Sequence, residues 1–193
     1  MKHLDEIVKA FGMTNMLLEE DLNQVEQRFG LDLGRQVRSK SDDPVRRQFD
    51  MAVRAEAAAM AVHYETFYCL EKTIRSLITD VLEAAEGDAW WTSARIPSVI
   101  QAAVATRIAR ERESGVTRRS TDELDYTTFG ELSEIIKASW ALFGSVLNDV
   151  KAVETVMARL NTLRGPIAHC APLAEDEILR LELTLKDWFR LLK

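Results

Sequence analysis

The scarcity of interruptions constrains this chain more than any other feature. From Arg46 to about Glu83 there is no glycine and no proline, and the whole chain of 193 residues holds only 8 glycines and 4 prolines. With alanine, leucine, glutamate and arginine plentiful, this argues against an all-β sandwich and against a glycine-rich phosphate-loop fold. The expected class is all-α. An unbroken helix from Arg46 to Glu83 would be about 57 Å long, so a bend or a hidden break is expected in it. Its second half carries an apolar face at helical spacing: Met60, Tyr64, Phe67, Leu70, Ile74, Leu77, Ile78 and Val81.

Breakers and caps divide the remainder. A short acidic helix is expected over about 14–29, beginning at Thr14 and stopping at Gly30, followed by a linker from Leu31 to Asp43 that contains Gly34 and a Ser-Lys-Ser-Asp-Asp run. Pro44 can open the next helix, since a first-turn proline loses no needed hydrogen bond. The expected organisation is therefore a helical extension and linker over 1–43 and a helical domain over 44–193. Gly87 and Asp88 end the long helix, and Trp90 and Trp91 follow. Pro97 starts a helix that stops at Gly115. Thr128 and Glu131 form a capping box, and the apolar positions from Leu132 to Leu147 predict one helix. Another runs from Val150 to a stop at Gly165-Pro166, because a residue before proline is pushed from the helical region. Glu175, Asp176 and Glu177 suit the first turn of a last helix, which should bury Ile178, Leu181, Leu185, Trp188 or Phe189, and Leu192.

Apolar residues at 47% and charged residues at 29% fit a globular protein with a sizeable core. The N-terminal run MKHLDEIVKAFGMTNMLLEEDLNQ is broken by acids, so it does not read as a signal peptide, and no stretch is apolar enough to span a membrane. Cys69 and Cys170 cannot make a disulfide framework and are expected to be buried or partly buried thiols in a reducing cytoplasm. Net charge is −6, which argues against a surface coated for duplex binding. The charge is uneven, however. Residues 95–119 hold Arg95, Arg107, Arg110, Arg112, Arg118 and Arg119 against only Glu111 and Glu113, and a local basic surface matters more than the total.

Chemistry-bearing residues are few. The histidines are His3, His63 and His169, with no HExxH or other convergent set for a metal and no Cys/His cluster for zinc. No metal or cofactor is expected. His3 and His63 read as inert or structural. His169 differs, because Arg164 precedes it by five positions in Leu163-Arg164-Gly165-Pro166-Ile167-Ala168-His169-Cys170. An arginine presents a planar fork that matches phosphate oxygens, and a histidine moves a proton near neutral pH. Together they supply what metal-free RNA cleavage requires: a group to deprotonate a ribose 2′-hydroxyl or protonate the leaving oxygen, and a group to stabilise charge on the phosphorane. Spacing alone would give about one chance match in a chain this rich in arginine.

Position adds the weight. The run LNTLRGPIAHCAPLAEDEILRLELTLKDW, Leu160 to Trp188, resembles the HEPN superfamily, in which an R-x4-6-H motif, often Arg-Asn-Pro-φ-x-His, falls between the last two core helices. Residues 64–78 with Glu71 and Arg75, then Trp90-Trp91, look like the Glu-x3-Arg helix and Trp-Trp loop of one branch, and Tyr126 to Leu132 continues the match. The resemblance covers about 50–192. It implies a HEPN-like helical bundle, Arg164 and His169 as catalytic residues, RNA as the substrate, and a homodimer with a composite active site. It also implies a toxin or anti-phage effector role, with an antitoxin or regulatory protein as a further partner. The family commonly has a polar residue after the motif arginine, where this chain has Gly165. Two functions therefore stand side by side: a metal-independent endoribonuclease acting through 2′-hydroxyl attack, and a non-catalytic HEPN module that binds RNA or a protein. Glu71 and Arg75 read either as a structural pair or as support for Arg164 or His169. Arg107, Arg110, Arg112, Arg118 and Arg119 read either as RNA contacts or as a solvated face. Trp90, Trp91 and Trp140 read as core aromatics rather than base-stacking platforms.

Overall fold

The computed structural model of the chain describes residues 2–30, 45 and 48–193 and divides into two compact units, Met1–Phe49 and Asp50–Lys193. The expected linker from Leu31 to Asp43, Pro44 and the side chain of His3 lie outside the described residues. In the first unit one helix, α1 (Lys2–Phe29), ends where Gly30 takes φ 61°. It begins well before Thr14 and passes through Gly12. A single interior glycine costs only about 1 kcal/mol, too little to delay the helix.

The second unit is an all-α bundle. Its first helix, α2 (Met51–Glu86), starts after Asp50, whose Oδ1 accepts the Ala52 N–H at 2.7 Å. It runs uninterrupted for 36 residues, about 54 Å, so the expected hidden break is absent. The alanine-rich stretch from Ala52 to Ala61 has high helix propensity and gives no cause for one. Phe67, Leu70, Ile74, Ile78 and Leu82 enter the core. Tyr64, expected on that apolar face, is instead 62% exposed: it lies upstream of the part of α2 on which other helices pack. The helix ends at Gly87, φ 72°. Trp90 and Trp91 form a short 3₁₀ turn (Trp90–Thr92), packed edge-to-face at 5.7 Å and laid against the core.

Helix α3 (Ser98–Glu113) buries Ile100, Val104 and Ile108. A loop and a 3₁₀ turn (Glu123–Tyr126) lead to α4 (Phe129–Ala138). Its capping box is complete, with Glu131 N–H donating to Thr128 Oγ1 at 3.3 Å and Thr128 N–H to Glu131 Oε2 at 2.6 Å. The single helix expected through Leu147 is broken at Ser139. That side chain is fully buried and its Oγ donates to the Arg95 carbonyl at 3.0 Å, and such a bond competes with regular helix. A short α5 (Trp140–Phe143) follows, with Trp140 packed against the core.

Helix α6 (Val150–Ala168) is capped by Asp149, which accepts the Ala152 N–H at 2.8 Å. It does not stop at Gly165-Pro166 but carries Pro166 inside its last turn. The clash that drives a pre-proline residue out of the helix involves that residue's Cβ, and Gly165 has none. Helix α7 (Glu175–Leu191) packs on α6, with Trp188 fully buried and Phe189 exposed. The chain end is tied down, as Lys193 N–H donates to the Val146 carbonyl at 2.9 Å and Asn148 N–H to that of Leu191 at 3.0 Å. Cys69 and Cys170 are both exposed rather than buried. Cys69 falls between the inward positions Phe67 and Leu70, and Cys170 sits in the turn after α6. No helix among the described residues is long and apolar enough to cross a membrane.

Candidate functional site

Three of the residues singled out, Arg164, Glu71 and Arg75, converge where α6 ends beside α2, and His169 does not join them. Arg164 lies one turn before the end of α6, and its Nε donates to Glu71 Oε2 at 3.2 Å. The other oxygen of that carboxylate, Oε1, accepts from Arg75 Nη2 at 2.5 Å. Arg75 is only 7% exposed, and its Nη1 also donates to the Leu124 carbonyl and, at 2.7 Å, to Thr127 Oγ1. Nη2 reaches the Thr127 carbonyl at 2.9 Å. A buried arginine thus holds a carboxylate, and the carboxylate holds the half-exposed Arg164 by one edge. The terminal nitrogens of Arg164 make no hydrogen bond among the described residues, and the residue lines a groove of about 310 Å³.

His169 caps α6. Its N–H donates to the carbonyls of Gly165 and Pro166 at 3.0 and 3.2 Å, and its side chain is exposed. The next residue, Cys170, takes φ 55°, which lets Ala171 N–H close on the Pro166 carbonyl at 2.8 Å. This is the left-handed turn that commonly ends a helix, here without glycine. Five helical residues turn His169 about 140° from Arg164 and carry it about 7.5 Å along the axis. In one copy the two groups therefore diverge.

The five arginines considered for RNA contact fall into three environments. Arg107 makes a forked pair with Glu131 at 2.7 and 2.9 Å and donates to the Tyr126 carbonyl at 2.9 Å. Arg118 and Arg119 gather around the buried Tyr126. The Arg119 guanidinium lies 4.9 Å from the ring centre and Arg119 Nε donates to Glu111 at 2.7 Å, while Arg118 Nε meets the Tyr126 hydroxyl at 3.3 Å. Arg110 and Arg112 are exposed and carry no side-chain bond among the described residues. Arg119 borders both the groove beside Arg164 and a second hollow of about 530 Å³ next to Arg107 and Arg110, so the arginine-rich segment continues into the groove. No group of three or more His, Cys, Asp or Glu that could hold a metal ion occurs among the described residues.

Glu131 ties the capping box to Arg107, and its acidity reflects this. Burial alone would push its pKa up, but hydrogen bonds from Arg107 and Thr128 outweigh that and hold it below the usual carboxylate range. Because folding depresses this pKa, the stability the carboxylate adds is complete above the unfolded value and drains away as pH falls through the folded one. Glu131→Gln is expected to flatten the acid limb of stability, read as denaturation midpoints from about pH 7 down to about pH 3. An unchanged limb would mean that the pair adds nothing to acid stability.

Two groove residues had no signal in the chemistry-bearing motifs. Tyr64 and Tyr68 stand exposed on α2 and border the same groove as Arg164. Their spacing of four was visible in the sequence, but their exposure depends on where the other helices meet α2.

An all-α bundle whose penultimate helix ends in an R-x4-H pair, with a Glu-x3-Arg helix against the arginine, is a HEPN domain. The family model described as Swt1-like HEPN matches residues 65–193, a span that includes Glu71, Arg75, Arg164 and His169. The chain belongs to the Swt1-like HEPN family. No curated protein and no solved structure matches it significantly.

Proposed function

We propose that the protein is a metal-independent endoribonuclease in which Arg164 holds the scissile phosphate and His169 moves the proton. The observation that carries this reading is the half-occupied Arg164. Glu71 fixes its Nε edge, leaving the two terminal nitrogens to fork onto phosphate oxygens. A guanidinium held by one edge is oriented before substrate arrives, which is how charge on a phosphorane is stabilised without reorganisation. Glu71 and Arg75 are positioning residues in this scheme. The divergence of Arg164 and His169 within one copy supports a homodimer, in which a twofold axis near the end of α6 assembles one cleft from two motifs. Light scattering is expected to give a dimer at tens of micromolar. A monomer with activity independent of concentration would overturn the composite cleft.

The likeness to toxin and anti-phage HEPN ribonucleases supports a role as a cytoplasmic toxin or defence effector held silent by an antitoxin or regulatory protein. A second reading, a non-catalytic module that binds RNA or a protein, is favoured by Gly165, which supplies no side chain where relatives carry a polar one. One experiment separates them. Purified protein is incubated with single-stranded RNA in EDTA and the new ends are analysed. The nuclease reading expects cleavage with 2′,3′-cyclic phosphate ends and intact DNA of the same sequence, since DNA lacks the attacking hydroxyl. Binding without cleavage, or cleavage that EDTA abolishes, would favour the second reading.

Arg110 and Arg112 are expected to contribute affinity rather than chemistry. Replacing both with alanine should weaken RNA binding and flatten its dependence on salt, because a protein that neutralises fewer phosphates releases fewer counterions. If affinity and salt slope stay unchanged, this helix end is a solvated face.

A further inference from the structure

We infer that Tyr64 and Tyr68 form a base-stacking platform that seats a single-stranded nucleotide next to the phosphate held by Arg164; this rests on the nuclease reading above. Two of the three tyrosines in the chain stand one turn apart on α2. The two residues are 62% and 57% exposed, with ring centres 6.3 Å apart and planes tilted by 34°. Neither hydroxyl has a protein partner among the described residues, so neither ring is held for an internal bond. Both border the groove that also receives Arg164, Arg119 and Lys72.

That combination fits one ligand chemistry. Exposed aromatic faces interleaved with cations are how single-stranded nucleic acid is gripped: bases stack on the rings while guanidinium and ammonium groups follow the backbone. The groove holds an excess of cations beside its rings, Lys72, Arg75, Arg119 and Arg164 against Glu71 and Asp125, which suits a polyanion with unpaired bases better than an uncharged apolar partner. Its volume of about 310 Å³ suits one nucleotide rather than a helix. Along α2, Tyr68 lies about 4.5 Å and Tyr64 about 10.5 Å from Glu71, the residue that holds Arg164. A base on either ring is therefore within a nucleotide or two of the guanidinium. A duplex, whose bases are already stacked, gains nothing from such a platform, so the site selects unpaired RNA.

The test uses full-length protein and short single-stranded RNAs carrying 2-aminopurine at successive positions, with His169→Ala to keep them uncut. At one position the parent should quench the fluorescence, and Tyr64→Ala with Tyr68→Ala should abolish the quench and weaken binding roughly 5- to 150-fold, the usual worth of stacking. Phenylalanine at both positions should restore both. An abasic site at the quenched position should weaken the parent by a similar factor and leave the alanine variant unchanged. In the His169-intact protein the alanine pair should raise KM with kcat little altered. Parental affinity and quenching in the alanine variant, with RNA still cut by the wild-type protein, would overturn the platform alone. Dissociation of a dimer by the alanine pair, with no dependence on the abasic site, would also overturn it and assign the rings to contact between copies. RNA neither bound nor cut by the wild-type protein would overturn the nuclease reading and the platform together.

Discussion

His169→Ala is expected to lower the rate of RNA cleavage by about 10²- to 10⁴-fold, the usual worth of a positioned acid or base. The loss should appear in kcat, with RNA affinity nearly unchanged, because the imidazole acts on the moving proton rather than on the backbone. The variant should remain folded. His169 is exposed, and what it gives α6 is its backbone N–H, which alanine retains. A surface change of this kind shifts stability by roughly 0.5 kcal/mol or less. Arg164→Lys should be nearly as damaging for a different reason. An ammonium that satisfies Glu71 has no planar fork left for the phosphate, and one that reaches the phosphate releases Glu71. Cleavage that survives either substitution, measured in EDTA with thermal unfolding as the control for folding, would remove that residue from the mechanism.

What the sequence made legible was local. The capping box at Thr128 and Glu131, the acids that start α7 and the glycine that ends α2 are set by neighbours within a turn, and spacing reveals them. The R-x4-H pair is also local, as is the spacing of four between Glu71 and Arg75. Contacts across the bundle were not legible. The apolar periodicity through Leu132 to Leu147 describes a helix, but it cannot register that Ser139 bonds to the Arg95 carbonyl forty-four residues away. Pro166 reads as a stop until the missing Cβ of Gly165 is weighed with it. Arg107 reads as one member of a basic cluster, and only the fold brings Glu131 to its guanidinium. Tyr64 follows the apolar stripe of α2 in sequence, yet burial begins at Phe67, where the other helices arrive.

Arg75 shows how far such a distant interaction can govern stability, and Arg75→Met is expected to be the most destabilising of the substitutions considered. Four acceptors converge on the one guanidinium: Glu71 Oε1, the carbonyls of Leu124 and Thr127, and Thr127 Oγ1. Leu124 and Thr127 are themselves buried, so water cannot replace the lost donors without opening the loop. Methionine leaves Glu71 with Arg164 alone and strands the buried acceptors of Leu124 and Thr127, at about 1–3 kcal/mol for each unsatisfied group, so the total should be about 3–5 kcal/mol, a fall in melting temperature of roughly 10 °C for a domain of this size. Lysine should recover only part, since one ammonium cannot span four acceptors arranged around a plane. Arg75→Met combined with Glu71→Gln should cost less than the sum of the two single losses, because the carboxylate oxygen that lost Arg75 is gone as well. The double variant should nevertheless cleave RNA poorly, as Arg164 then lacks the charged partner that holds its Nε. A shift below about 1 °C for Arg75→Met, well under that expected for a buried pair, would mean that the loop is held by its own packing and that Arg75 clamps nothing.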